Sequence, residues 1–191
     1  MKRSQINRAI REAQAAFAAV KWVLPPNPKW DVCDFGLGQF DRYGLTLVNL
    51  AEEKEYCEKI MHAKKNRVTL CHAHKRKKED IIVRAGVLAI QLWDDETMAK
   101  DVNRRLKVNR NGEPVEIHSG QILEIPAGER VTMTPGLYHA FWPLTEDCVI
   151  GEVSTANDDV NDNFFTDPNV GRFPTIEEDE PRTYRLVSEK Q

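Results

Sequence analysis

Four residues stand out for the chemistry that their types and spacing allow. In the stretch LCHAHKRKKEDIIVRAG, His72 and His74 lie two apart, four residues separate His74 from Glu79, and six separate Glu79 from Gly86. Side chains at i and i+2 on a β-strand project to the same face, so the two imidazoles can converge on one point. A turn in the following residues lets the carboxylate reach the same point. Two nitrogens and one oxygen aimed together make a divalent-metal site. His139, far along the chain, supplies a third imidazole. The set His72, His74, Glu79 and His139 leaves two open positions on an octahedral ion, able to hold two vicinal oxygens of a ligand. Mn²⁺, Fe²⁺, Zn²⁺, Co²⁺ and Ni²⁺ all suit such donors. His62 and His118 each stand alone on a predicted strand with no partner at ligand spacing, and read as packed or surface histidines.

The elements that must position these residues are mostly strands. GLTLVNL at 44–50 alternates, as do 56–62 and 67–74, and IIVRAGVLAIQLW at 81–93 reads as two β stretches bent at Gly86. Asn111-Gly112, flanked by 105–108 and 114–118, is a hairpin signal. Residues 122–125, 131–133, 140–144 and 148–153 supply further short strands. Ser4 is the predicted N-cap of an amphipathic helix over about 4–22, with Ile6, Ile10, Ala13, Phe17 and Val20 at helical spacing and Pro25-Pro26 as its stop. Its apolar stripe is expected to pack on a sheet. The segment from Trp30 to Tyr43 reads as an aromatic, turn-rich loop, able to line a pocket or cover the end of a barrel. Past Ser154 the chain becomes acidic and rich in turns but stays aromatic. It reads as an ordered extension over about 156–191 that wraps a barrel spanning about 44–155. Many short strands with regular turn signals predict an all-β sandwich or barrel, here one domain covering 1–191.

Composition bounds the partners. The chain has 191 residues, 41% of them apolar and 30% charged, with a net charge of −3. No basic stripe is present to draw in nucleic acid, because the run at 75–78 is followed at once by Glu79-Asp80. No apolar run approaches the roughly 20 residues of a membrane span. The charged N-terminus lacks a signal-peptide core, which favours the cytoplasm. Cys33, Cys57, Cys71 and Cys148 form no CxxC pair and read as reduced thiols.

The spacing His72-x-His74-x4-Glu79-x6-Gly86 resembles the first motif of the cupins, and Thr134-Pro-Gly-Leu-Tyr-His139 resembles the second. Two features depart from the pattern: the proline stands directly before the glycine, and Pro143 occupies the region where the family carries an asparagine. The resemblance implies a cupin jelly-roll barrel with a metal on the four ligands. HAHKRKKEDIIVRAG together with GEVSTANDDVNDNFF looks more narrowly like the cupin-fold D-lyxose isomerases, most closely over about 44–172. That likeness implies an aldose–ketose isomerase interconverting D-lyxose and D-xylulose, with D-mannose and D-fructose as slower substrates. It also implies Mn²⁺ as the usual ion and a homodimer. By the same resemblance Lys77 matches a lysine near the substrate oxygens, and Asp162 and Arg172 match residues that hold sugar hydroxyls. Asp158 and Asp159 compete with Asp162 for that role.

The residues support this chemistry independently. Isomerisation needs a base to move a proton between C1 and C2, and charge stabilisation at the developing enediolate. Glu152 follows the apolar run CVIG in the last strong strand. A carboxylate buried there is costly unless it faces a polar pocket. Facing the metal cavity, it is expected to have a raised pKa and act as the base; its alternative is a surface glutamate. Lys77 is a catalytic partner or one charge of a solvated KRKK run. Two other functions fit the ligand set, a metal-dependent cupin oxygenase and a non-catalytic sugar-binding cupin. The polar cluster after Glu152 argues against the first, and the lack of a helix-turn-helix pattern against a regulator built on the second.

Overall fold

The computed structural model describes residues 1–171, 173 and 175–189. Along the chain lie α1 (Arg3–Ala19), β1 (Lys29–Cys33), α2 (Phe40–Tyr43), β2 (Leu45–Glu52), β3 (Tyr56–Lys64), β4 (Thr69–Ala73) and β5 (Glu79–Ala85). There follow β6 (Val87–Trp93), β7 (Asp101–Arg110), β8 (Glu113–Ser119), β9 (Gln121–Pro126), β10 (Arg130–Met133), β11 (Tyr138–Pro143), β12 (Asp147–Thr155), β13 (Phe164–Phe165) and β14 (Arg185–Leu186). The strands form two sheets, ordered β14-β1-β2-β3-β12-β5-β10-β7-β8 and β13-β4-β11-β6-β9. Alternation along each strand sends one set of side chains between the sheets. Met61, Ile81, Val83, Ile90, Leu92, Leu106, Val131, Phe141 and Ile150 meet there in one buried core. The all-β fold expected from the strand pattern is the one observed.

The other face of the larger sheet is covered by α1. Ile6, Ile10, Ala13 and Phe17 pack on Trp30, Val48, Ile60 and Val149, as the helical stripe predicted. The helix differs from expectation at both ends. Its N-cap is Lys2, with no side-chain cap, and Ser4 lies inside the first turn. The Ser4 N–H and hydroxyl both donate to the Asp179 carboxylate, at 2.8 and 2.7 Å, so the cap comes from the extension. At the other end Lys21 takes a positive φ of 59°. Lys21 N–H bonds to Ala18 O and Trp22 N–H to Phe17 O. This double closure is a Schellman motif, and it ends the helix at Ala19, ahead of the two prolines.

The segment read as an aromatic loop also differs. Its first part is β1, paired antiparallel with β2 through Trp30–Val48, Asp31–Leu47 and Val32–Thr46. Five residues with an aspartate at the centre give too short an alternation to read as a strand. The extension does wrap back: β14 adds to β1, and β13 adds to β4.

Gly112 and Gly86, two of the glycines with positive φ, have different surroundings. Gly112 (φ 86°) follows Asn111 (φ 55°) in the β7–β8 hairpin, the pairing a type I′ turn requires, and a Cβ there meets open space. Gly86 (φ 81°) joins β5 to β6, and a Cβ there would stand 2.4 Å from Thr145 Oγ1 and 2.6 Å from Asp147 O. Gly112→Ala is expected to cost about 1 kcal/mol. Gly86→Ala is expected to cost about 2 kcal/mol more, because the clash adds to the backbone strain. Urea unfolding of the two variants measures this, and equal stabilities would contradict it.

Candidate metal centre and active-site cavity

The two sheets bring the four sequence-predicted ligands together between them. His72 lies on β4 and His139 on β11, directly opposite each other in the antiparallel register. His74 follows the end of β4. The chain then crosses to the larger sheet, where Glu79 is the first residue of β5. All four side chains are buried, and one ligand atom from each falls within 4.8 Å of the others.

Hydrogen bonds fix which ring nitrogens face the cluster. The Nδ1 of His72 lies 2.7 Å from Leu70 O, that of His74 2.5 Å from Asp162 O, and that of His139 3.2 Å from Leu137 O. A carbonyl only accepts, so each Nδ1 donates its proton there, and Nε2 is the nitrogen left facing the cluster. Burial, together with the neighbouring His139 and His74 rings, holds the His72 pKa well below the ordinary histidine value. A neutral imidazole is the form that binds a metal.

The donor set fits a first-row dication. His139 Nε2 lies 2.8 Å and His74 Nε2 3.5 Å from Glu79 Oε1. Donors at about 2.1 Å from a shared ion stand about 3 Å apart. His74 Nε2 and Glu79 Oε1 are also buried without a hydrogen-bond partner among the described residues. Orphaned buried polar atoms are costly, and an ion on the cluster satisfies both. Three imidazoles and a carboxylate suit several divalent metals.

Lys77 and Glu152 stand beside this cluster. Lys75, Arg76 and Lys78 are exposed and Lys77 alone of the run is buried, so the run divides as β4 crosses to β5. Lys77 Nζ lies 2.9 Å from Glu79 Oε2 and 3.0 Å from Glu152 Oε1. Glu152 faces inward from β12 rather than into solvent, and lines the same cavity as His72, His74, Lys77 and Glu79. Its expected raised pKa is overturned. Burial pushes the carboxyl up, but the Lys59 and Lys77 ammonium groups outweigh that and hold it below the usual carboxylate value. Burial likewise opposes ionisation of Glu79, and Lys77 and His139 hold it well below that range.

Lys59, not singled out from the sequence, is the second cation of the cavity. It lies opposite Glu152 in the β3–β12 register, 3.3 Å from Glu152 Oε1 and 3.7 Å from Asp159 Oδ1. The available signal was alternation: Cys57, Lys59, Met61 and Ala63 share one strand face, and a lysine among apolar neighbours points to a buried partner. Phe165, also unforeseen, covers the His72 ring at 5.1 Å. His62 is a packed histidine, 2.7 Å from Asp147 Oδ1. His118 is half-buried beside Arg105.

Asp162 is placed differently from its expected contact with a sugar. Its carboxylate accepts the backbone N–H groups of Lys75, Arg76 and Lys77 at 2.8 to 3.1 Å. It does not line the cavity, whereas Asp159 does. Asp162 thus holds the β4–β5 crossover by its side chain and the His74 ring by its carbonyl. Asp158 is engaged with Arg76 at 2.8 Å. Arg172 lies outside the described residues.

A two-sheet β-barrel with three imidazoles and a carboxylate converging inside it is the architecture of a cupin-type metal centre. Residues 27–190 match the family model for D-lyxose isomerase. The chain belongs to the D-lyxose isomerase family and is a sugar isomerase, acting on a small-molecule sugar. It is 36% identical to a D-lyxose/D-mannose isomerase of Serratia proteamaculans, over 99% of this chain and 97% of that protein. It is 39% identical to one of Escherichia coli O157:H7, over 84% of this chain and 75% of that protein. The fold matches L-ribose isomerase of Cellulomonas parahominis with a TM-score of 0.67 at 16% identity, covering 89% of this chain and 94% of that one. L-ribose isomerase of Acinetobacter sp. DL28 matches at 0.68 and 18% identity, with the same coverage. No helix among the described residues is long and apolar enough to cross a membrane.

Elemental analysis after equilibration with divalent cations is expected to find one ion per chain, and little in His74→Ala or His139→Ala. Asp162→Ala keeps all four ligands and the backbone carbonyl at His74 but removes the carboxylate that holds the crossover between His74 and Glu79, and is expected to weaken ion binding about 10-fold, the low end of the loss when ligand-orienting contacts are disturbed. Wild-type protein that retains no ion would refute the metal centre, and undiminished affinity in Asp162→Ala would refute the orienting role.

Proposed function

We propose that the protein is a metal-dependent isomerase that interconverts D-lyxose and D-xylulose through an enediol, with D-mannose and D-fructose as slower substrates. The observation that carries this reading is the adjacency of Glu152 and Lys77 to the four-ligand cluster, three of whose members, His72, His74 and Glu79, line the same cavity. A dication held by His72, His74, Glu79 and His139 supplies Lewis-acid stabilisation of negative charge developing on the sugar oxygens. The remaining chemistry belongs to the side chains. Glu152, ionised by its lysine neighbours, is in the state that accepts a proton. It takes the C2 proton of the aldose as the C1–C2 double bond forms, and returns it to C1 to give the ketose. Lys77 gives a proton to O1 as the enediol forms and regains one from O2 as it collapses, which balances the exchange.

The cavity suits a polyol. Lys77, Glu152, Asp159 and Asn163 line it with groups for hydroxyls, and Phe35, Leu47, Met61 and Phe165 give an apolar wall for the C–H face. Of the three competing aspartates, Asp159 is the one we place near sugar hydroxyls, and Arg172 keeps the substrate role its resemblance implies. The same reading takes Mn²⁺ as the ion and a homodimer as the assembly, both implied by the resemblance to D-lyxose isomerases, and the cytoplasm as the location.

Stripping with EDTA is expected to abolish turnover of D-lyxose, and Mn²⁺ to restore it. Glu152→Gln is expected to keep its ion while kcat falls by about 10² to 10⁴. A metal-free protein with full activity would refute the metal requirement, and a Glu152→Gln rate near wild type would refute the base.

A further inference from the structure

Burying an ammonium group is costly unless it is paired and hydrogen-bonded. Lys59 is 7% exposed, and no packing need explains a cation there, since Cys57 and Met61 beside it on the strand face are uncharged. Its partners do. Besides Glu152 and Asp159, its ammonium donates to Asn157 Oδ1 at 3.1 Å, and the Asn157 amide donates in turn to Glu52 Oε1 at 3.3 Å. Lys59 is therefore anchored, besides its contact with Glu152, by residues of the segment after β12. It pairs with none of the four ligands, whereas Lys77 divides between Glu79 and Glu152.

We propose that Lys59 is a positioning residue for proton transfer: held by Asn157 and Asp159, it fixes the Glu152 carboxylate beside the ligand cluster. Both lysines reach the same oxygen, Glu152 Oε1, which leaves Oε2 to meet the C2 proton. A glutamate has three side-chain torsions, and Lys77 alone restrains it from one direction. Lys59 restrains it from the facing strand. This role rests on the assignment of Glu152 as the base. It also gives the segment after β12 two links to the site, through Asn157 and Asp159 to Glu152, and through Asp162 to His74.

The test compares wild type, Lys59→Met, Glu152→Gln and the double variant, all loaded with Mn²⁺ and measured for metal content and for kcat and KM with D-lyxose. Lys59→Met is expected to bind one ion per chain with KM close to wild type, while kcat falls about a hundredfold, the scale of an ångström's misplacement. The double variant is expected to be no slower than Glu152→Gln, since Lys59 acts only through that carboxylate. Where Lys59→Met does not fold, Lys59→Gln gives the same comparison. A Lys59 variant at the wild-type rate beside a slow Glu152→Gln overturns the positioning role alone. So does a double variant slower than Glu152→Gln by the full Lys59 factor. Glu152→Gln at the wild-type rate instead overturns the base assignment on which the role rests.

Discussion

Charge buried in an apolar barrel must be paired, and the interior of this molecule is arranged around that constraint. Asp159, Lys59, Glu152, Lys77 and Glu79 form a row of alternating charge across the cavity. The row draws on β3, β12 and β5, neighbouring strands of the larger sheet, and on the β4–β5 crossover and the segment after β12, so it assembles only when those strands are in register. It holds three carboxylates and two ammonium groups, one negative charge in excess, beside three imidazoles whose Nε2 atoms face the cluster. That is a field suited to a dication. The same row keeps Glu152 ionised despite its burial. The metal affinity and proton acceptance proposed for the site would thus follow from one electrostatic arrangement.

The extension completes what the barrel begins. Its β13 pairs with β4 and places Phe165 opposite His72. Its Asp162 gathers three backbone N–H groups of the crossover. Farther on, Glu178 and Glu189 pair with the buried Arg3, and Asp179 caps α1. An acidic tail is costly as free coil against a carboxylate-rich site. Here its charges are taken up by backbone amides, by helix α1 and by Lys59.

Much of this was legible in the residues. The ligand spacing placed three of the metal donors on one strand-turn-strand unit, and the second motif placed the fourth. The apolar run before it placed Glu152 in a buried strand, and the Asn111-Gly112 pair fixed a hairpin. The rest depended on contacts distant in sequence. Ser4 looks like a cap until Asp179, 175 residues away, supplies one. The Lys59–Glu152 pair is set by cross-strand register, which local patterning does not encode, and for that reason the Glu152 pKa was expected to rise when it falls. Asp162 differs for a similar cause: sequence position identifies an acid near the site, but only the folded crossover offers it three amides.

Hydrogen exchange during turnover tests proton transfer by Glu152 most directly. D-Lyxose incubated in D₂O with metal-loaded wild type and with Glu152→Gln of equal metal content can be followed by NMR. An enediol route through Glu152 predicts deuterium at C1 of the D-xylulose and at C2 of recovered D-lyxose with wild type, and loss of that exchange in the variant. Transfer of the original C2 hydrogen to C1 without dilution, or undiminished exchange in Glu152→Gln, would contradict it.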